Sequence, residues 1–458
     1  MPYVILPRLL LLSDFTKERF IMSKKYDVLT YRIPIIKPVS TDWKTFGKIS
    51  GNLIYSAIRL MNEAIRMHYV NIQEKYEYEQ EHGRISARDW CIERYNAATF
   101  STHINRTLKT REESEDIPGD LVELIARQAV DTFNTNSREV LANNASLPTF
   151  RRDQPIPVRA RSLGITEDYT CFLPFMTREL AKEYGFKGRR MQSFEVQLGT
   201  QGDAKTILDR ILEGTYKACD SKVQRTKDGK WFLLLTYKQP RKERNLDVDK
   251  IMGIDLGIVK AATIAIAGER KVYEIDGGEI AAFRRRIEGR RNSIRRQLPV
   301  ASRNRRGHGR KTLLKPLETL SRKVENFKDT VNHRYSRYIV DLAVKRGAGT
   351  IQMEDLSGIN KRSSFLATWS YFDLQEKIRY KAEMEGIKFV KVPPRYTSQR
   401  CFHCGVINEG NRQTQASFEC TSCGHRRNAD YNAAENLTLK DIDKIIDEQL
   451  KYQRKATA

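Results

Sequence analysis

KIMGIDLGIVKAATIAIAGERKVYEID, residues 250–276, reads as three consecutive strands. IMGIDLG, AATIAIAG and KVYEID are apolar runs of strand length separated by turn-forming or charged residues. The first carries Asp255 near its middle, flanked by apolar residues. An ionised carboxylate in such surroundings needs a metal or a partner to offset its desolvation. Working toward the C-terminus, a basic stretch is followed by a helix, VNHRYSRYIVDLAVKRG (331–347), and a strand, TIQMEDL (350–356), with Glu354 at its end. A helix over 370–386, the strand IKFVKVPP (387–394) and a segment leading through Asp430 into the helix NAAENL (432–437) complete the pattern.

Three strands followed by alternating helices and strands is the order of an RNase H-like fold. In that fold an Asp on the first strand and a Glu on the fourth lie side by side, joined by an acid at the start of the last helix. Asp255, Glu354 and Asp430 are the candidates. Oxygen-only ligands suit Mg²⁺, and three carboxylates can hold two such ions across a scissile phosphate. Asp355 competes with Glu354, since neighbours on a strand point to opposite faces; the alternation of IQM before it favours Glu354. A lone Asp in an apolar strand would by default be a turn or salt-bridge residue, so the weight falls on the set of three.

The cysteines carry a sharper signal. Cys401 and Cys404 are two residues apart, as are Cys420 and Cys423, and fifteen residues lie between the pairs. Each second cysteine precedes a glycine, Gly405 and Gly424, which permits a tight turn that aims backbone N–H groups at sulfur. Four thiolates at this spacing fit one tetrahedral Zn²⁺ with no open position, hence a structural role. His403 and His425 are close enough to leave a Cys₃His ligand set open. Cys91, Cys171 and Cys219 are scattered, and an odd count with four cysteines clustered argues against a disulfide framework and for a reducing compartment; a prokaryotic cytoplasm is the expected location.

Composition bounds the partners. The 458 residues exceed one ordinary core, and 81 Lys+Arg against 57 Asp+Glu give a formal charge of +24. A polyanion is the default partner for such an excess. The cations concentrate between the first two acids: Arg284, Arg285, Arg286, Arg290, Arg291, Arg295, Arg296, Arg303, Arg305, Arg306, Arg310 and Lys311 face one acid, Glu288. A solvated helix face mixes both signs, so this run points to phosphate contact. Helical spacing puts arginines on all sides of 284–296, a loop is expected at 301–311, and no hydrophobic face is left for a membrane. The opening MPYVILPRLLLLSD lacks a basic lead-in and is too short to span a bilayer; Met22 looks like a natural start, so residues 1–21 read as a candidate upstream extension.

In the N-terminal half, residues 24–38 alternate as a strand and Asp42 is placed to cap a helix. In that helix Ile54, Ile58, Met61 and Ile65 form one stripe and Leu53, Ala57, Leu60 and Ala64 another. The sector is wide enough either for a central helix or for contact with a second copy. Further helices are expected over 86–108 and 119–144, then short strands such as SFEVQLG (193–199) and WFLLLTYKQ (231–239), and a charged linker, PRKERNLDVD, at 240–249. The class is therefore multidomain α+β: a small β-barrel with an inserted helical domain, then an RNase H-like nuclease with a four-cysteine zinc element inserted.

GIDLG, MEDL, and YTSQRCFHCG through CTSCG to NADYNAAEN resemble the RuvC-type nuclease shared by transposon-encoded TnpB proteins and type V CRISPR effectors. KPVSTDWKTFGKI, DKIMGID, GGEIAAFRRRIEGRR and NHRYSRYIVDLA further resemble the miniature type V-F effectors, over nearly the whole chain from Met22. The resemblance implies an RNA-guided double-stranded DNA endonuclease with a guide RNA, a short T-rich flanking motif and one RuvC site for both strands. Asp255, Glu354 and Asp430 carry over as the catalytic Mg²⁺ ligands and Arg412 as a residue supporting catalysis. The implied domains are an N-terminal extension and first wedge strand (1–40), a recognition domain (41–145), the wedge barrel (146–248), nuclease parts at 249–399 (with a basic helical segment, 278–346) and 430–458, and a zinc-binding, target-loading element (400–429). An asymmetric homodimer on one guide RNA is also implied. A TnpB nuclease is the alternative.

Overall fold

The computed structural model describes residues 26–457 apart from Glu243, Ile258, 303–308, 357–370 and Gln415, and gives two compact units, Met1–Pro240 and Arg241–Ala458. The candidate extension 1–21 and Arg303, Arg305 and Arg306 lie outside the described residues.

The first unit begins with β1 (Tyr26–Pro38) and four helices, α1 (Trp43–His82), α2 (Ala87–Tyr95), α3 (Phe100–Leu108) and α4 (Gly119–Leu141). The Asp42 carboxylate accepts from the backbone N–H groups of Lys44 and Thr45, satisfying two of the donors exposed at the start of α1. The helix expected at 86–108 is two: Asn96 caps α2 in the left-handed region at φ 47°, and the Thr99 hydroxyl starts α3. Then follow β2 (Ile156–Val158), β3 (Thr170–Leu173), α5 (Arg178–Glu183), β4 (Phe194–Leu198), α6 (Ala204–Leu212), β5 (Lys217–Ala218), β6 (Ser221–Arg225) and β7 (Trp231–Pro240).

These strands form a seven-stranded sheet in the order β2-β6-β7-β1-β4-β3, with β5 on β7. Strand β1 pairs with β7 from Tyr26 to Pro34, slips register between Ile35 and Lys37, and continues against β4. That bulge turns the sheet, giving a half-barrel whose ladder ends at β2 and β3 instead of closing. Both stripes of α1 are buried within this unit: Leu53, Ile54, Ala57, Ile58, Leu60, Met61, Ala64 and Ile65 share one core with α4 and with Ile33, Leu233 and Leu235 of the sheet. The width of the apolar sector is thus used by its own domain and carries no signal for a second copy.

The second unit contains β8 (Asp247–Asp255), β9 (Lys260–Ile266), β10 (Tyr273–Asp276), α7 (Gly278–Ser302), α8 (Gly309–Arg346), β11 (Ala348–Glu354), α9 (Tyr371–Met384) and β12 (Lys388–Val392). Beyond these come β13 (Ser417–Glu419), β14 (Arg426–Asn428), α10 (Ala429–Asn436) and α11 (Ile442–Thr457). The sheet order is β10-β9-β8-β11-β12; β8, β11 and β12 are parallel, and β9 and β10 turn back antiparallel. Met252, Ile254, Ala262, Ile264, Ile351 and Met353 supply a fully apolar face for α8 and α9, as the parallel strands require.

The charged stretch expected as a linker is structured. Lys242 and Arg244 pair with the buried carboxylate of Glu385, and Asp247–Asp249 already belong to β8. Of the loop expected at 301–311, residues 301–302 end α7 and 309–311 begin α8, while 303–308 lie outside the described residues. The basic stretch also has an apolar seam, contrary to the reading of arginines on every side. Ile280, Ile287 and Ile294 recur every seven residues along α7, Ile287 packs on Leu320 and Val324 of α8, and Phe283 stacks on Phe327 at 3.7 Å. Arg285, Arg286, Arg290, Arg295 and Arg296 are exposed off that seam, while Arg284 and Arg291 are half-buried. Arg310 and Lys311 fall in the first turn of α8. Among the described residues no helix is long and apolar enough to cross a membrane.

Candidate metal and nuclease site

Asp255 is the last residue of β8 rather than its middle, and Glu354 is the last residue of β11. The two strands are parallel and in register, Ile254 opposite Met353, so both carboxylates leave the same edge of the sheet side by side. Asp430 arrives from the first turn of α10, whose cap is the Asn428 side chain accepting from the N–H groups of Asp430 and Tyr431. What brings that helix to the sheet is Gly253. A Cβ there would stand 2.3 Å from the Ala434 carbonyl oxygen and 2.6 Å from the Leu437 carbonyl carbon, so the C-terminal end of α10 lies directly on β8. Only a residue without a side chain permits this approach.

Each carboxylate is recessed but open to solvent on one side. Burial pushes Asp255 up to about 7, reinforced by the negative charges of Glu354 and Asp430 and eased by Arg412. Burial also raises Glu354, against a hydrogen bond from the Thr397 hydroxyl and the Arg412 charge. Asp430 is raised by burial as well, with Arg412 lowering it and Glu274 adding repulsion. The Arg412 guanidinium reaches to 3.9 Å from the Asp430 carboxylate. Three neighbouring acids, all driven toward protonation and moderated by one guanidinium, form a site short of positive charge. Divalent cations would supply it, and the all-oxygen donor set suits Mg²⁺. The oxygens are not drawn into one tight cage of the kind the cysteines form.

The sequence reading missed the residues that hold these acids. Thr397 is buried and its hydroxyl bonds Glu354. Gln375 of α9 donates to the Glu354 carbonyl at 2.5 Å, and the Tyr371 hydroxyl donates to the Gly257 carbonyl at 3.1 Å, fixing the turn after Asp255. In the sequence Gln375 and Thr397 lie among polar neighbours, DLQEK (373–377) and RYTSQ (395–399), so nothing marked them out. The Asp355 N–H extends the ladder to the Val392 carbonyl at 2.7 Å.

Metal-free, the Asp255 arrangement costs stability, with a definite sign. A carboxyl raised from 3.8 when unfolded to about 7 when folded binds more protons in the folded state between those values. Stability is therefore highest below pH 4 as far as this group is concerned and is lost as pH rises toward 7. The full penalty is about 4 kcal/mol. Asp255→Asn should accordingly raise the melting temperature of chelator-treated protein at pH 8 and do little at pH 4.5; equal shifts at both would mean that Asp255 is not strained.

The four cysteines do form a compact cluster. Cys401 and Cys423 sulfurs are 3.8 Å apart, Cys404 and Cys420 sulfurs 3.5 Å, and all four lie within 4.8 Å of one another. A tetrahedral ion with Zn–S bonds of about 2.3 Å needs sulfurs about 3.8 Å apart. The fit is good. Each pair is a turn closed by backbone bonds, Gly405 N–H to the Cys401 carbonyl and Gly424 N–H to the Cys420 carbonyl, with both glycines at positive φ (81° and 68°). His403 and His425 stack on each other and stand outside the cluster, which favours four sulfurs over a Cys₃His set.

Comparison with known proteins agrees along the chain. The protein is 40% identical over 430 residues to the CRISPR-associated endodeoxyribonuclease Cas12f1 of Sulfoacidibacillus thermotolerans, a match covering 93% of this chain and 100% of that one. It is 37% identical over 408 residues to the like-named protein of Syntrophomonas palmitatica, covering 80% and 79%. The family described as Cas12f1-like, TNB domain, matches residues 371–437, the stretch from α9 through the cysteines to α10. In a cryo-EM structure of a Cas12f1–sgRNA–target DNA complex, one chain shares the fold with a TM-score of 0.67 at 20% identity, covering 91% of this chain and 99% of that one. The chain belongs to the Cas12f1 family of CRISPR-associated endodeoxyribonucleases.

Proposed function

We propose that the protein is an RNA-guided endonuclease that cuts both strands of DNA at one site built from Asp255, Glu354 and Asp430. The observation that carries this reading is the convergence of three charge-starved carboxylates from three distant segments, in a chain matching a Cas12f1 nuclease over all of that protein's length. The strand order 3-2-1-4-5, with the second and third strands antiparallel, supports an RNase H-like, RuvC-type unit. Two Mg²⁺ ions held there would activate the attacking water and stabilise the leaving 3′ oxygen.

The protein's own residues supply the rest. Asp255 and Glu354 bind from adjacent strand ends, the latter locked by Thr397, and Asp430 closes the set from α10. Arg412 stands where its guanidinium can hold a non-bridging phosphate oxygen while it balances Asp430. The exposed arginines of α7 provide phosphate contacts along one side of the α7–α8 hairpin, and Arg284, Arg291, Arg303, Arg305, Arg306, Arg310 and Lys311 extend that basic stretch.

The wider assignments follow the same reading. Residues 26–40 and 146–248 serve as the wedge and 41–145 as the recognition domain, which meets a T-rich flanking motif. Residues 249–399 and 430–458 are the nuclease, and 400–429, braced by one Zn²⁺, load the target. Guide RNA pairs with the target strand, so base pairing rather than the protein reads most of the sequence. Two copies on one guide RNA complete the assembly. A transposon-encoded nuclease is less favoured, because the InsQ relative of Escherichia coli matches 46% of this chain at 25% identity.

Co-purifying RNA tests the reading. Expressed beside its native repeat array, the protein should retain a discrete array-derived RNA and cut plasmids carrying the matching sequence next to a T-rich motif. Protein free of bound RNA, or cutting that ignores the array sequence, would overturn it.

A further inference from the structure

Arg400 is buried, 6% exposed, and among the described residues no carboxylate pairs with it. Its guanidinium donates to the side-chain oxygens of Asn436 at 2.6 Å and Gln449 at 2.8 Å, and to the Cys401 carbonyl at 3.5 Å. A buried cation with only neutral partners lacks its counter-charge. The nearest source is the cysteine cluster that begins at the next residue. A Zn²⁺ ion among four thiolates carries a net charge of about −2.

Arg400 also reaches the carboxylates. Its backbone carbonyl accepts from Asn432 at 2.8 Å and from Asn436 at 2.7 Å, two buried asparagines one turn apart on the helix that carries Asp430. The Asn432 oxygen accepts from the Phe402 N–H inside the first cysteine turn, at 3.0 Å. Asn436 further donates to the carbonyl of Thr397, the residue that grips Glu354, at 3.0 Å. One fastened network thus runs from the thiolates to two of the three acids.

We propose that Arg400 is a positioning residue: its charge balances the metal-loaded cysteines, and its hydrogen bonds to α10 tie their occupancy to the placement of Asp430 and Glu354. Binding at the cysteines and divalent-cation binding at the carboxylates are then coupled. The proposal rests on the metal-site reading of the three acids given above.

The test uses the full chain with Co²⁺ as optical probe for the cysteines and Mn²⁺, followed by electron paramagnetic resonance, for the carboxylates. Arg400→Met should keep a tetrathiolate Co²⁺ spectrum but bind Co²⁺ about 10- to 100-fold more weakly. Its Mn²⁺ affinity should fall at least several-fold. Arg400→Lys should recover much of the Co²⁺ affinity, having the charge, but not the Mn²⁺ affinity, having lost the fork that joins Asn436 and Gln449. In the unaltered protein, stripping metal from the cysteines should weaken Mn²⁺ binding by the factor by which Mn²⁺ strengthens Co²⁺ binding, an arm that needs no variant to fold.

Unchanged Co²⁺ affinity in Arg400→Met would overturn the counter-charge. Mn²⁺ affinity indifferent to cysteine loading, while Asp255→Asn still weakens it, would overturn the coupling and leave the carboxylate site standing. If Asp255→Asn itself leaves Mn²⁺ binding unchanged, the reading of the three acids fails, and the coupling with it.

Discussion

Asp255→Ala is expected to abolish DNA cleavage, by at least about 10³-fold, while guide-dependent binding of the target stays within a few-fold of the unaltered protein. The magnitude follows from the position of this residue. It is the innermost of the three acids and the one whose ionised form is most opposed, by burial and by both neighbours. A cation bound there is worth most to this carboxylate, and removing it deletes a ligand at the centre of the set. Binding should persist because Asp255 ends a strand and faces the site, while the apolar residues before it hold the sheet. Cleavage on a gel and binding by mobility shift, with the same guide and target, separate the two. Loss of both would mark Asp255 as a folding residue; retained cleavage would remove it from the site. Glu354→Gln should behave alike, and Thr397→Val should lose less, since it leaves every ligand in place.

Much of this site was legible because its carriers announce themselves. IMGID and TIQME are apolar runs too short for helices, each ending in one acid; the parallel register that sets those acids side by side is visible only in the fold. The exact end of β8 was not legible. An Asp followed by Leu and Gly continues the apolar pattern, and only the packing of α10 on Gly253 shows where the strand stops serving the core. The breadth of the apolar sector left the reading of α1 open between a central helix and a face for a second copy. Two adjacent stripes prove that a helix is covered on two sides, yet periodicity cannot say by what; here α3, α4 and the half-barrel share its core. The arginine run hid its seam for a similar reason, since three isoleucines seven residues apart are easily lost among cations. The asparagines of NADYNAAEN were visible as a motif. Their task, clasping the backbone of Arg400 from across α10, exists only in three dimensions.

Removing one thiolate should be as damaging to the C-terminal segment as removing Asp255 is to cleavage. The cysteine-bearing stretch has a small apolar core of its own: β13 and β14 are three residues each, and its apolar cluster is Phe418, Ala429 and two of the cysteines. A core that small cannot offset the chain entropy of some thirty ordered residues, at about 1 kcal/mol or more each. Metal binding is expected to contribute the difference, so that the fold of this stretch and its metal site would form together. Purified protein is expected to hold close to one zinc per chain. Cys401→Ser should lose that zinc and the slow amide exchange of residues 396–436, because Cys401 is buried and its backbone closes the first turn. The half-barrel unit has its own continuous core and should keep its exchange protection. Cleavage should fall with the zinc, since Arg412 lies within the stretch that loosens and Asp430 stands two residues past the end of its last strand. Hydrogen exchange by mass spectrometry reads both regions in one experiment. Full protection of 396–436 in zinc-free Cys401→Ser protein would mean that the segment folds without metal, and the cysteines would then need another explanation.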